Sequence, residues 1–374
     1  MNRHQLLAGV LSYAFITLSV QAHNVVPPTL LNPTVTPAVD GILSAFQTHP
    51  LVGLSDWHGM AQEENFYAQL IQDPRFAKEV GNVVVEFGDA AQQHTLDRYL
   101  AGEEVPYDQL RKVWSDTVGA VPTITSMGYP NFFAQVRATN ANLPESERIH
   151  VWLGDPPIDW SMIKSRADFL RVLHGRERYP AHLITSQILA KHKKALVIYG
   201  GSHFYDEGAM GALVEQDHPR AFFLVTPYIG FNEESCSSVF EATLHDWPVP
   251  ALVTPVRNTT LQSRLEASEC TSFTHFHFAP QVTEAAKEAA LKSWNEETSG
   301  VTGDALLYLG PAAKLTMATE IPDLYLDPAF RNEISRRRMV VSGHPLGTPS
   351  DFQTIQSPLR PYGNSSPSGI RPND

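Results

Sequence analysis

Five short apolar runs recur between residues 50 and 227: "LVGLS" at 51, "NVVVEF" at 82, "IHVWLG" at 149, "ALVIYG" at 195 and "AFFLVT" at 221. None keeps the apolar–polar alternation of a half-exposed strand, so each suits a strand covered on both faces. Helical patterns lie between them. Met60, Tyr67, Leu70 and Ile71 recur at helical spacing until "DP" at 73 stops the pattern, and "RYPAHLITSQILAKHK" from 178 ends in basic residues suited to a helix C-terminus. Strand, helix, strand in repetition predicts an α/β fold with a mostly parallel sheet and flanking helices.

The regularity fades in the C-terminal third, where helical and irregular additions are expected. Residues 235–300 combine Pro- and Thr-containing stretches with a polar helical segment, "VTEAAKEAALKSWNEET"; "DALLYLG" at 304 then offers a return strand and "DPAFRNEISRRRM" a closing helix. At the other end, "LLAGVLSYAFITLSV" followed by Val20 and Ala22 has the form of a cleaved secretory signal. The expected organisation is a signal peptide over 1–22, an extended Pro- and Thr-rich lead-in over 23–45, one α/β domain over 46–343 and an unfolded tail over 344–374. Such a protein is periplasmic or secreted, without stable membrane insertion once the signal is removed. In that setting the two cysteines, Cys236 and Cys270, are expected to bridge.

The net charge is −12 and the cationic runs, "RRR" at 336 and "KHKK" at 191, are minor. Such a surface repels phosphate backbones and disfavours nucleic acid; the partner expected of the site read below is a small-molecule or peptide substrate.

In open parallel sheets ligands bind beyond the carboxyl ends of the strands. Asp56 and His58 follow the first run, Glu86 and Asp89 fall within and after the second, Asp155 follows the third and His203 the fourth. Any one of these alone reads as a helix cap or a loop residue; four successive strands delivering an acid or an imidazole to one edge read as a site. Glu86 interrupts a run of valines, and a carboxylate there costs several kcal/mol unless a cation such as Arg98 or Arg176, or a site, compensates it.

Two chemistries suit the group. In one, His58 is a general base for water, Glu86 orients it, and His203 or glycine amides stabilise an oxyanion. In the other, His58, His203 and a carboxylate from Asp56 or Glu86 hold a divalent metal, Zn or Mn. A serine nucleophile is disfavoured, since Ser202 in "YGGSHF" lacks the G-x-S-x-G elbow.

The same residues resemble a known superfamily, that of erythromycin esterase, Tiki and the ChaN haem-uptake proteins, from about residue 50 to about 340. "SDWH" is similar to its Gly-Glu-x-His motif, with Asp56 where Glu is usual and His58 retained; "VVVEFGDA" carries Glu86, "GDPPIDW" Asp155, "RERYPAHLI" Arg176 and Glu177, and "YGGSHF" His203. The resemblance implies an exported hydrolase of ester or amide bonds with His58, Glu86 and His203 at its centre and Asp56, Asp155, Arg176 and Glu177 in support. Its Tiki branch implies a metal-dependent protease, and its ChaN branch a haem-binding protein without turnover.

Overall fold

The protein is described by a computed structural model covering residues 31–118, 124–206, 208–230, 234–262 and 303–346. Eight strands form one sheet: β1 (Thr34–Pro37), β2 (Leu51–Asp56), β3 (Asn82–Asp89), β4 (His150–Asp155), β5 (Ala195–Gly200), β6 (Phe222–Pro227), β7 (Ala251–Thr254) and β8 (Ala305–Tyr308). Their order across the sheet is β1-β7-β8-β6-β2-β5-β3-β4. From β8 to β4 all neighbours run parallel, while β7 is antiparallel to both β8 and β1. The α/β class and the mostly parallel sheet read from the sequence are the observed architecture.

Every residue of β2, β3 and β5 is buried, which is why these runs lack alternation. Successive side chains of a strand point to opposite faces. Val52, Leu54, Val83, Val85, Leu196 and Ile198 meet Tyr67, Leu70 and Ile71 of the helix Ala61–Gln72, and Tyr129, Phe132 and Phe133 of the helix Gly128–Asn140. On the other face Leu51, Val84, Val197 and Tyr199 meet Ala181, Ile184 and Ile188 from the 178–188 segment and Met210 and Val214 from the helix Met210–Asp217. Each such aliphatic side chain contributes about 1.5–3 kcal/mol of burial.

Local chemistry sets the element ends. The helix Ala61–Gln72 stops where Asp73 turns extended before Pro74; the Asp73 carboxylate accepts the Arg75 N–H and so caps the next helix, Pro74–Glu79, which opens on that proline. The segment from 178 is α-helical to Leu183, passes through a π turn at Ile184–Ile188 and a tight turn at Leu189–Lys191, and ends at His192 in the left-handed region (φ 53°). The edge strand β4 is closed by side-chain amides: Gln93 pairs with Val151 O and Leu153 N, and Asn140 with both the N–H and the C=O of Ile149.

Two expectations are corrected. Residues 34–45, read as part of an extended lead-in, form β1 and the helix Ala38–Ala45, which buries Ala38, Ile42, Leu43 and Ala45. Their order comes from pairing with β7, a four-residue strand that local sequence does not announce. The start of the expected tail also belongs to the fold, for Leu346 is buried with Ile124, Phe330 and Ile334. Residues 1–22, Cys270, the side chain of Cys236, the "VTEAAKEAALKSWNEET" segment and residues 347–374 lie outside what is described. No described helix is long and apolar enough to cross a membrane.

Candidate active site

Strands β2, β5, β3 and β4 are adjacent, and their carboxyl ends carry Asp56, Gly200, Glu86 with Asp89, and Asp155. The β3–β4 register shifts between Val85 and Asp89, and within that irregularity Glu86 turns toward β5, where its Oε2 accepts the Gly200 N–H at 2.7 Å. Glu86 shares the strand parity of Val84 and so rises from the face that holds Tyr199. Asp56 shares the parity of Val52 and Leu54 and rises from the opposite face.

A line of alternating carboxylates and imidazoles crosses the end of β5. His58 Nδ1 lies 2.9 Å from Asp56 Oδ2 and its Nε2 lies 3.7 Å from Glu86 Oε2. On the far side His203 Nε2 lies 3.3 Å from Glu86 Oε1 and its Nδ1 lies 2.8 Å from Glu177 Oε1. Arg176 closes the group, with Nη2 at 2.5 Å from Glu86 Oε1 and Nε at 3.2 Å from Asp155 Oδ1. Asp155 is held in turn by the Val118 N–H, and Glu177 accepts the Met210 N–H. Thus His58, Glu86, His203, Asp56, Asp155, Arg176 and Glu177 stand together. Arg98, the other cation considered for Glu86, pairs instead with Glu103.

Electrostatics follow from this geometry. Burial pushes the Glu86 carboxyl up, yet His203, His58 and Arg176 together hold it well below the usual range, so it is an anion. Burial pushes His203 down, but Glu86 and Glu177 raise it to about 9. His58 shows the same balance: burial opposes its charge, while Glu86 and Asp56 leave it above the ordinary value. Burial raises Asp155 to about 6 despite Arg176 beside it.

Behind His58 lies a further set of buried polar groups, which the pattern of apolar runs does not single out. Asp56 accepts from Tyr67 Oη at 2.7 Å and from Tyr129 Oη at 2.8 Å. Glu63 accepts the Trp57 N–H at 2.8 Å, and Glu64 accepts the Ser126 hydroxyl at 2.7 and 2.8 Å. Burial pushes both glutamates up, Glu64 to about 8, with Asp56 adding to the push. Positions 60, 63, 64, 67 and 71 share one helix face, so two acids sit within an otherwise apolar stripe, a signal the sequence carries.

The metal ligand set expected from sequence is not realised as one. Both Asp56 oxygens are engaged by phenols and by His58 Nδ1, away from His203, and the Glu86 oxygens are taken by Arg176, His203 and the Gly200 N–H. Arg176 already supplies the cation that the carboxylates require. Among the described residues no group of three or more His, Cys, Asp or Glu is arranged to hold a metal ion. Nor do these residues offer haem an open axial ligand: both imidazole Nε2 atoms face Glu86, and Tyr67 and Tyr129 are buried donors to Asp56.

No known family's sequence model matches the chain, and no curated protein matches it. Among solved structures, the type III effector HopBA1 is similar at 12% identity with a TM-score of 0.37, over 56% of this chain and 91% of that one. ChaN of Campylobacter jejuni, described as binding haem cofacially, is similar at 11% identity with a TM-score of 0.32, over 51% of this chain and 86% of that one. A Bacillus cereus protein is similar at 11% identity with a TM-score of 0.35, over 54% of this chain and 73% of that one. These likenesses are weak.

Proposed function

We propose that the chain hydrolyses ester or amide bonds, with His58 as the general base that activates water. One arrangement supports the reading: two imidazoles, each anchored through Nδ1 by a carboxylate, aim their Nε2 atoms at a single buried glutamate from either side.

In its neutral form His58 carries Nδ1–H toward Asp56 and a lone pair on Nε2, the tautomer a base needs. It takes a proton from water as the water oxygen bonds to the carbonyl carbon. Negative charge then gathers on the carbonyl oxygen, where the His203 imidazolium and the Arg176 guanidinium supply compensating charge. As the C–O or C–N bond breaks, His58 returns the proton to the leaving group. Glu86 balances the cations and orients His58 throughout. Substrates of this class are small molecules or peptides.

The test uses purified protein against panels of chromogenic esters and amides. Turnover by the wild type that falls by about 10²-fold or more in His58→Ala and in Glu86→Gln is expected. Equal rates in wild type and His58→Ala, or no turnover of any probe, would overturn the assignment.

A further inference from the structure

We infer that Tyr67 and Tyr129 are positioning residues for His58: their phenols clamp the short side chain of Asp56, so that its carboxylate stays against Nδ1 and Nε2 stays turned to Glu86. The inference rests on the hydrolytic reading for its purpose, but the clamp itself stands on geometry.

Among the described residues the donors to the Asp56 carboxylate are three: Tyr67 on Oδ1, and Tyr129 and His58 Nδ1 on Oδ2. The Asp56 side chain is fully buried (0% exposed), so water does not substitute for them. A carboxylate torsion is broad when left to itself, and one donor on one oxygen would leave it free to swing. Two phenols, one on each oxygen, remove that freedom.

The phenols are themselves fixed. They come from two helices, Ala61–Gln72 and Gly128–Asn140, packed on the same face of the sheet. The Tyr129 ring stacks on Phe87, next to Glu86 in β3, with centroids 4.1 Å apart and planes at 22°. Its hydroxyl also lies 3.5 Å from His58 Nδ1, so it touches both members of the dyad. Other charged or titratable groups near this point are Glu63 and Glu64 on the first helix, and Glu86 and His203 beyond the imidazole. Glu63 and Glu64 face other partners, the Trp57 N–H and the Ser126 hydroxyl, and neither bonds to Asp56, so its fixed donors besides His58 are the phenols.

The measurement is solvent exchange of the His58 Nδ1–H, followed by NMR on protein labelled with nitrogen-15 histidine, in wild type, Tyr67→Phe, Tyr129→Phe and the double variant. Thermal melting serves as the folding control. Faster exchange in each single variant is expected, reaching about tenfold in the double variant, together with a fall of about tenfold in kcat on an ester probe at unchanged KM. Unchanged or slower exchange overturns the clamp, as does a variant effect confined to KM. If the double variant does not fold, the single variants decide by the same reading. The exchange arm needs no substrate, so a wild type that turns over no ester would defeat the proposed function while the clamp is still decided.

Discussion

Arg176 Nη2 lies 2.5 Å from Glu86 Oε1, and the two residues are 90 positions apart in the chain. The glutamate is 2% exposed, and its charge is carried by that guanidinium and by two imidazoles. Removing one partner of a buried ion pair leaves the other uncompensated, at a cost of about 3–5 kcal/mol. Arg176→Met is therefore expected to lose about 3 kcal/mol in urea unfolding. Adding Glu86→Gln should recover part of the loss, because the stranded charge is gone. A double variant that is destabilised by the full sum of the two single effects would show that the pair is not coupled.

The pH profile follows from the two histidines. The proposed base must be neutral, and the His58 pKa lies above 6.5, so turnover is expected to rise as pH climbs through a value higher than that of a free imidazole. The opposing group must stay charged, and His203 loses its proton at about 9, so turnover should fall again near there. Glu177→Gln removes one of the carboxylates that raise His203 and should move the falling limb to lower pH. A limb that stays in place or moves upward would separate it from His203.

Much of this was legible for one physical reason: strands covered on both faces must be apolar throughout, so a polar residue at their ends stands out. His58, Glu86, Asp155 and His203 each lie within or just beyond such a run. Arg176 and Glu177 fall outside the runs: Arg176 was reached as one of two cations that could compensate Glu86, and Glu177 only through the resemblance. Glu63, Glu64, Tyr67 and Tyr129 were missed because helix faces deliver them, and a helical stripe of mixed acids and aromatics does not declare which side is buried. Strands β1 and β7 were missed because each has four residues and is specified by its pairing with the other.

Glu64 offers a stability test with a definite sign. Its carboxyl moves from 4.5 in an unfolded chain to about 8 in the buried site, so between those values the folded state holds more protons than the unfolded one. Stability is then lost as pH rises through that window. Glu64→Gln keeps the size and removes the titration. It should melt like the wild type near pH 5 and above it at pH 9, by at least about 1 kcal/mol. Parallel melting curves across the whole range would show that Glu64 ionises without cost.

Chelation separates the two chemistries open at the level of sequence. The carboxylates that a metal would need are occupied by Arg176, by phenols and by the Gly200 N–H. Ester turnover is expected to survive prolonged dialysis against EDTA within about twofold, well short of the loss that removal of a catalytic metal causes. Activity abolished by EDTA and restored by Zn²⁺ or Mn²⁺ would instead require the cluster to rearrange around a cation.

Gly200 is where the two halves of the site meet. A Cβ there would sit 3.1 Å from His58 Nε2 and 3.3 Å from its Cε1, tighter than such contacts normally are, and at ordinary contact distance, 3.4 Å, from Glu86 Oε2. Its backbone is not in the left-handed region, so alanine brings no conformational strain, and the Gly200 N–H can still reach Glu86. The crowding therefore falls on the imidazole. Gly200→Ala is expected to fold with a melting temperature close to wild type while losing about tenfold or more in kcat, since small displacements of a base from its working geometry carry large rate costs. A variant with full turnover would show that Nε2 of His58 does not work from the position seen against Glu86.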